Sequence, residues 1–86
     1  MSYRLEFSRT AIKGLAQLHP QVNRRLKEHI LLLADDPKPP NSLQLAGQPA
    51  GLRRLRVGDY RVLYQVDEEA RVVTIVKVGP RGTVYC

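Results

Sequence analysis

The sequence predicts a small α+β domain in which an N-terminal strand and a helical hairpin are followed by a three-stranded antiparallel meander. Two observations carry this prediction. Apolar and polar residues alternate near the start of the chain and again after residue 51, whereas apolar residues repeat at helical spacing between about residues 9 and 34. The 86 residues suit a single domain, residues 1–86, built as a twisted sheet with both helices on one face.

The N-terminal half is predicted to form one strand and two helices. Residues 2–7 alternate with the period of a half-buried strand, and Ser8 is a suitable N-cap for the first helix. The apolar positions that continue this helix to about residue 18 are Ile12, Leu15, Ala16 and Leu18. Pro20 suits the first position of the second helix, whose apolar stripe comprises Val22, Leu26, Ile30 and Leu33. Residues 35–50 contain four prolines and one glycine, which predicts a long loop.

The C-terminal half contains three strand-like runs, at residues 52–57, 60–66 and 71–78. Gly58 and Asp59 lie between the first two runs, where a two-residue hairpin turn commonly falls. Such a turn pairs Arg56 with Arg61. Alternation then puts Arg54, Arg56 and Arg61 on one face of the sheet, and Leu55, Val57, Tyr60 and Val62 on the other. A register that differs by one residue would exchange the two faces, and Arg53 is expected at the rim.

The pairing of two arginines is informative because like charges directly opposite each other destabilise a sheet. The apolar face is expected to be covered by the helices, which leaves the arginine face open. Three of the four acidic residues after residue 51 lie at positions 67–69, in a turn at the other end of the sheet. The arginine end should therefore keep a positive field that attracts anions.

The composition indicates the same kind of partner. Lysine and arginine total 14 against 8 acidic residues, which gives a net charge of +6, and ten of the 14 are arginines. The planar guanidinium group binds phosphate through two parallel hydrogen bonds, so a polyanionic partner is expected. The alternative is a basic, solvated surface that has no specific partner.

Other classes of site are not expected. One cysteine and two histidines argue against a disulfide framework and against a metal site, and they fit a reducing compartment. No run of about 18 apolar residues and no signal-like N-terminus occurs, so we expect a cytoplasmic protein that does not span a membrane. No cofactor is expected. His19 and His29 lie in the helical part of the chain, and they are not expected to reach the open sheet face.

Several segments together resemble the RelE/ParE superfamily of bacterial and archaeal toxins from type II toxin–antitoxin pairs. These are the opening YRLEFSRTAIKGLAQL, the central LAGQPAGLRRLRVGDYRVLYQV and the closing VKVGPRGTVY, which together cover nearly the whole chain. The resemblance implies a small α+β fold with a helical hairpin on one side of a twisted antiparallel sheet. RelE-like members cut messenger RNA on the ribosome, whereas ParE-like members inhibit DNA gyrase and cut nothing.

The resemblance also implies roles for particular residues. Arg61 in GDYR, Arg81 in VGPRG and Tyr85 in TVY match the catalytic positions of RelE-like toxins, and having both Arg81 and Tyr85 favours that branch. Arg54 and Arg56 fall where RelE-like toxins carry further basic residues. The expected function is therefore that of a ribosome-dependent endoribonuclease. A ParE-like gyrase inhibitor without nuclease activity is the alternative, and a basic regulatory module without catalysis is a third.

The chemistry of RNA cleavage fits these residue types. RNA supplies its own nucleophile, the 2′-hydroxyl, so guanidinium groups need only align the phosphate and stabilise its developing charge, without a metal ion. Arg61 and Arg81 are expected to clamp the scissile phosphate, and Tyr85 to stack on or orient a base. Arg54, Arg56 and Lys77 are expected to bind RNA nearby. The expected products are a 2′,3′-cyclic phosphate and a 5′-hydroxyl.

The general base stays open at this point. The strand LRRLR at residues 52–56 has no lysine, and arginine is effectively always protonated. Lys77, Tyr60 and Tyr85 are candidates, and the ribosome could supply the base or none could be required. RelE-like toxins often continue into a C-terminal helix after this tyrosine, whereas this sequence has one residue after Tyr85. We therefore expect RNA or a partner to order Tyr85.

The partners follow from the resemblance and from the charge. The family implies a cognate antitoxin, and a basic face calls for an acidic or amphipathic helical segment that folds on binding. Messenger RNA on the ribosome is the expected substrate, and ribosomal RNA could meet the basic run at residues 24–27. DNA is expected only indirectly, through the antitoxin.

Overall fold

The computed structural model describes residues 2–45 and 51–81, which form one five-stranded mixed sheet and two helices. The elements in chain order are β1 (Arg4–Phe7), α1 (Arg9–Ala16), α2 (Pro20–Leu32), β2 (Ser42–Gln44), β3 (Leu52–Val57), β4 (Tyr60–Asp67) and β5 (Val72–Pro80). The strand order is β1-β5-β4-β3-β2, with β1 parallel to β5 and the other neighbours antiparallel. The predicted α+β class and the antiparallel meander are confirmed. Within the described residues, no helix is both long enough and apolar enough to cross a membrane.

Strand β2 is the one element that the sequence did not predict, because it lies inside the proline-rich segment taken as a loop. It pairs antiparallel with β3 at the edge of the sheet. Asn41 fixes its start: the side-chain amide donates to the Arg56 carbonyl at 2.8 Å, and the Arg56 amide donates to the Asn41 carbonyl at 2.9 Å. Three residues are too few for a periodic pattern, so this strand depends on its tertiary partner.

The core lies between the helices and one face of the sheet. The stripe predicted on α2 is confirmed by the burial of Leu26, Ile30 and Leu33. The sheet contributes mainly valines, Leu55, Ile75 and the fully buried Tyr64, whose hydroxyl donates to the Pro37 carbonyl at 2.6 Å. Burying one aliphatic side chain of this size is worth about 1.5–3 kcal/mol, so the stripe on α2 is the main attachment of that helix.

The prediction for α1 was correct at Leu15 and wrong at Ile12. Ala11 and Leu15 face the core, whereas Ile12 is 56% exposed. The helix is oriented by a close approach at Gly14, where an added Cβ would lie 2.8 Å from the Val78 carbonyl oxygen. Any larger side chain would push α1 away from β5, so glycine here serves packing and not flexibility.

Ser8 joins the start of α1 to β5. As predicted, it is the N-cap: its hydroxyl oxygen accepts from the Ala11 amide at 3.0 Å. The same hydroxyl donates to the Val76 carbonyl at 2.6 Å, and the Ser8 amide donates to the Ile75 carbonyl. One residue therefore satisfies a helix terminus and two strand carbonyls together.

A polar cluster ties the turn between β4 and β5 to the N-terminus. The Tyr3 hydroxyl donates to a Glu68 carboxylate oxygen, and the Lys38 ammonium lies 3.3 Å from the other oxygen. The Arg71 guanidinium lies 4.3 Å from the centre of the Tyr3 ring. The hydrogen bond from Tyr3, followed by that from Lys38, lowers the pKa of Glu68, and the bond to Glu68 raises the pKa of Tyr3.

Glu68→Gln should remove a contribution to the free energy of unfolding that wild type has at neutral pH and loses in acid. Because the pKa of Glu68 is lowered on folding, its contribution is complete above the ordinary pKa of 4.5 and disappears as the pH falls through the lowered pKa. Urea unfolding of both proteins across the acid range should therefore show a gap at neutral pH that closes on acidification. Because the group is exposed, the gap should be small. A gap that stays constant at every pH would contradict this linkage.

Candidate functional site

The hairpin formed by β3 and β4 has the register that the sequence predicted. Val57 is opposite Tyr60 and Arg56 is opposite Arg61. Gly58 has a φ of 59°, and Asp59 has no positive φ, which is the pattern of a type II′ turn. Leu55, Val57 and Val62 are buried towards the helices. The arginines of the two strands, apart from Arg53, therefore lie on the opposite, open face.

A bulge in β5 turns Lys77 onto this open face. Tyr64 pairs with Ile75, but Leu63 pairs with Lys77, so Val76 is the extra residue. In a regular strand Lys77 would share the buried face of Ile75, because side chains two positions apart point the same way. The bulge moves Lys77 to the side of the arginines while Val78 returns to the core. The predicted role of Lys77 in binding RNA therefore depends on this irregularity.

Three arginines line a cleft of ≈ 300 Å³ at the β2 end of the open face. We refer to it as the arginine cleft, and its lining residues are Pro40, Asn41, Ser42, Leu43, Arg54, Arg56 and Arg61. None of these described lining residues is acidic. The turn at residues 67–69, which carries three carboxylates, is at the far end of β4. The cleft therefore combines positive charge with a concave shape, which raises the local concentration of an anion.

Arg61 forms part of the floor of the cleft rather than projecting from it. Only 7% of the residue is exposed. One terminal nitrogen, Nη1, donates to the Gly58 carbonyl at 3.0 Å and to the Tyr60 carbonyl at 2.9 Å. Gly79, which has no side chain, lies opposite Arg61 on β5. The guanidinium is thus anchored to the hairpin turn by one corner, and the sequence pattern gave no sign of that anchoring.

Arg81 approaches the same end of the sheet through its backbone. It follows β5, and its amide donates to the Asp59 carbonyl in the hairpin turn at 2.8 Å. Arg81 is two residues beyond Gly79, the residue opposite Arg61. The structure therefore brings the two predicted clamp arginines to one end of the open face. Tyr85, the third predicted catalytic residue, lies outside the described residues.

Arg53 does not belong to the cleft. It pairs with Tyr64, so it lies on the face that the helices cover. Its Nη2 donates to the Ser42 hydroxyl at 2.8 Å, which joins β3 to β2. Its Nε is buried and has no hydrogen-bond partner in the structure described. Arg53 thus acts in the attachment of the edge strand.

Two of the candidate acid–base groups can now be located. Tyr60 is half-buried against the core on the covered face, so it does not face the arginine cleft. Lys77 is on the open face, with Leu63 between it and Arg54 across the strands. His19 caps α2, where its Nδ1 accepts from the Gln21 amide. Among the described residues, Lys77 is the remaining candidate base on the open face. In the part of the chain that the structure describes, no three side chains of histidine, cysteine, aspartate or glutamate are placed so that they could hold a metal ion together.

The fold and the cleft define a class: a small, basic α+β domain whose helices cover one sheet face and whose other face gathers arginines. Over residues 5–85 the sequence matches the family described as the ParE toxin of type II toxin-antitoxin system, parDE. The chain therefore belongs to the RelE/ParE family, the toxins of type II toxin–antitoxin systems.

Named relatives fall in the RelE branch. The mRNA interferase toxin RelE of Escherichia coli strain K12 is 33% identical over 82 residues, which are 94% of this chain and 85% of that protein. Toxin RelG of Mycobacterium tuberculosis is 31% identical over an alignment of 87 positions, which covers 99% of this chain and 98% of that protein. The family description names ParE, so sequence similarity alone connects the chain to both branches.

Solved structures share the fold closely. The toxin–antitoxin complex RelBE2 from Mycobacterium tuberculosis matches with a TM-score of 0.84 and 30% identity, covering 94% of this chain and 100% of that chain. The archaeal RelE–RelB complex from Pyrococcus horikoshii matches with a TM-score of 0.84 and 34% identity, covering 98% and 100%. In both cases the similar structure is that of a toxin–antitoxin complex.

Proposed function

We propose that this toxin is a ribosome-dependent endoribonuclease that cleaves messenger RNA. The observation that carries the proposal is the arginine cleft, in which an anchored Arg61 lies beside Arg54 and Arg56. A preorganised guanidinium stabilises charge at lower cost than a mobile one, because it need not be reoriented during the reaction. Relatives at about one-third identity that are named mRNA interferases support the same activity.

The proposed mechanism is attack of the 2′-hydroxyl on the adjacent phosphate. The 2′-oxygen forms a bond to phosphorus as its proton passes to a base. The bond to the 5′-oxygen breaks as that oxygen takes a proton from water, with Arg61 or Arg81 assisting its departure. Arg61 and Arg81 neutralise the charge that develops on the non-bridging oxygens, so no metal ion is required. Arg54, Arg56 and Lys77 hold neighbouring phosphates, and Tyr85 orients a base. The products are a 2′,3′-cyclic phosphate and a 5′-hydroxyl.

The residues that line the cleft limit which group can accept the proton of the 2′-hydroxyl. Its described lining residues offer no carboxylate, histidine or lysine. The base is therefore Lys77 at the margin of the face, Tyr85, or a group of the ribosome. In the last case the free protein lacks a complete site, which agrees with cleavage that occurs on the ribosome and not in solution.

The proposed partner is a cognate antitoxin in the cytoplasm. Similar structures are complexes of RelE-like toxins with RelB antitoxins. An acidic or amphipathic helical segment suits the positive cleft, since it would neutralise the arginines and exclude RNA. Ribosomal RNA would contact further basic residues of the toxin, and DNA would be reached only through the antitoxin.

A second candidate is inhibition of DNA gyrase, as in ParE-like toxins. The observation in its favour is the family match itself, which carries the ParE description over residues 5–85. In this case the arginine cleft would bind a protein or DNA surface and would cleave nothing. A toxin of this kind would not need Arg61 to be anchored towards a reacting phosphate.

In-vitro translation with primer-extension mapping separates the two candidates. The wild-type toxin should cut messenger RNA within codons on ribosomes, and the cuts should disappear in Arg81→Ala and Tyr85→Phe. Arg4→Ala is the matched control, because Arg4 is exposed and pairs with Glu6 on β1, away from the cleft. Intact messenger together with inhibited gyrase supercoiling would contradict the nuclease. A 5′-phosphate at the cut would contradict the mechanism.

A further inference from the structure

Leu43 is an apolar side chain in a place where an edge strand seldom has one. It is 56% exposed on β2, the outermost strand of the arginine end of the sheet. Edge strands more often carry charged residues, which prevent association with other chains. The other large apolar side chains with high exposure lie on β1 or on the helices, at Phe7, Ile12, Leu31 and Leu32. Among the described residues, Leu43 is the exposed one that lines the arginine cleft.

The open face carries apolar and cationic groups in alternation. Leu43 is directly opposite Arg54, Arg54 is opposite Leu63, and Leu63 is opposite Lys77. Neighbouring strands are about 4.8 Å apart, so these four positions form a row of about 14 Å. The adjoining row contains Arg56, Arg61 and Gly79. A purely electrostatic surface would have no reason to place a leucine beside each cation of the first row.

We propose that Leu43, with Pro40 beside it, is the base-binding side of the arginine cleft. One RNA nucleotide then lies with its phosphate on the arginines and its base against Leu43. This inference rests on the proposed function and adds a subsite to it. Single-stranded RNA alternates charged phosphates with apolar base faces, so it matches both sides of the cleft.

The dimensions of the cleft favour a nucleotide over a segment of protein. Its volume of ≈ 300 Å³ is at the lower end of the range for small-ligand sites, which is about 300–1,000 Å³. A helix is about 10–12 Å in diameter with its side chains, so an antitoxin helix would lie across the mouth of the cleft, whereas a single nucleotide can enter it. The base contact is unspecific in hydrogen bonding, since Leu43 and Pro40 offer no side-chain donor or acceptor. We therefore expect weak sequence preference at this position.

The test is fluorescence anisotropy with a short labelled single-stranded RNA and with the same strand made abasic. Leu43→Ser should weaken binding to the intact RNA by about fivefold, the low end of what a stacked base contributes, because leucine packs against a base without aromatic stacking. It should leave binding to the abasic strand unchanged, because the phosphate contacts remain. Leu43→Met should restore the affinity, and this variant also guards against a loss of folding. Leu31→Ser is the matched control, since Leu31 is 63% exposed but lies on α2.

Two results would overturn the inference. Equal weakening of the intact and the abasic strand would show that Leu43 acts through the arginines or the fold. Unchanged RNA binding with weakened binding of the cognate antitoxin would assign Leu43 to a protein interface. Ribosomal cleavage assays keep the two proposals apart. If wild type cleaves messenger RNA but Leu43→Ser binds RNA as well as wild type does, the base-binding subsite is wrong and the proposed nuclease activity still stands. If wild type itself does not cleave messenger RNA, the proposed nuclease activity is wrong.

Discussion

Arg61→Ala should lower the rate of ribosome-dependent cleavage by about 10²–10³-fold, the usual effect of removing one preorganised donor at a developing oxyanion. It should also lower the free energy of unfolding by about 1–3 kcal/mol, since two carbonyls at the hairpin turn lose their donor. Arg61→Lys keeps the charge, but one ammonium group cannot bond to the turn and hold a phosphate in two-point contact. We therefore expect a rate loss of about 10²-fold for lysine with a smaller loss of stability.

Arg56→Ala is the matched control, because Arg56 is the residue directly opposite on β3 and is exposed. Removing it relieves the pairing of like charges, so stability should be unchanged or rise by about 0.2–1 kcal/mol. Its effect should appear in the binding of messenger, through KM, and less in kcat. Rates from single-turnover cleavage and stabilities from urea unfolding measure the two effects separately. An Arg61→Lys variant as active as wild type would contradict the anchored clamp.

Gly51→Ala should lower the free energy of unfolding by about 2–4 kcal/mol, combining backbone strain with overpacking. Gly51 has a φ of 86°, which is unfavourable for any residue with a Cβ. Its added Cβ would clash with the Val66 carbonyl oxygen and lie 2.9 Å from the side-chain nitrogen of Gln65. The Gly51 carbonyl accepts from the Val66 amide at 2.8 Å, so moving away would break a hydrogen bond that holds the start of β3.

Gly58→Ala separates the two causes. Gly58 also has a positive φ, of 59°, but its added Cβ would find ordinary contact distances, the nearest atom being Arg25 Nη2 at 3.5 Å. Only strain remains there, so a loss of about 1–2 kcal/mol is expected. Chemical denaturation of both variants checks the difference. Equal losses at the two glycines would show that crowding at Val66 is relieved without cost.

The hairpin was predictable because its turn, its alternation and its register are all local. Gly58 and Asp59 set the pairing, and the pairing fixes the face of every side chain from Arg54 to Leu63. The stripe on α2 was predictable for the same reason, since helical spacing is a local property. The buried side chains on the covered face of the hairpin and along the stripe of α2 confirmed both predictions. The family and its toxin class also followed from segments that can be read along the chain.

Other features depend on contacts that no local pattern records. Strand β2 exists because β3 offers it a partner, and Ile12 is exposed because Gly14 decides how α1 meets β5. The anchoring of Arg61 depends on two carbonyls in its own turn, which a face assignment does not reveal. The bulge at Val76 is hidden within an almost continuous apolar run, where alternation gives no signal. The roles of Arg61, Arg81 and Tyr85 remain predictions.

The bulge in β5 sets a rule for how this part of the chain can change in length. Because Val76 is the extra residue, its loss would leave Leu63 opposite Lys77 and restore a regular strand with every other side chain on its present face. Insertion of one residue in this strand, by contrast, would reverse the residues on one side of it or require a second bulge. The strand can therefore absorb the loss of one residue at the bulge, but not the gain of one. The late arginine of related toxins should be compared by the β4 residues that its strand pairs with, and not by distance from the end of the chain.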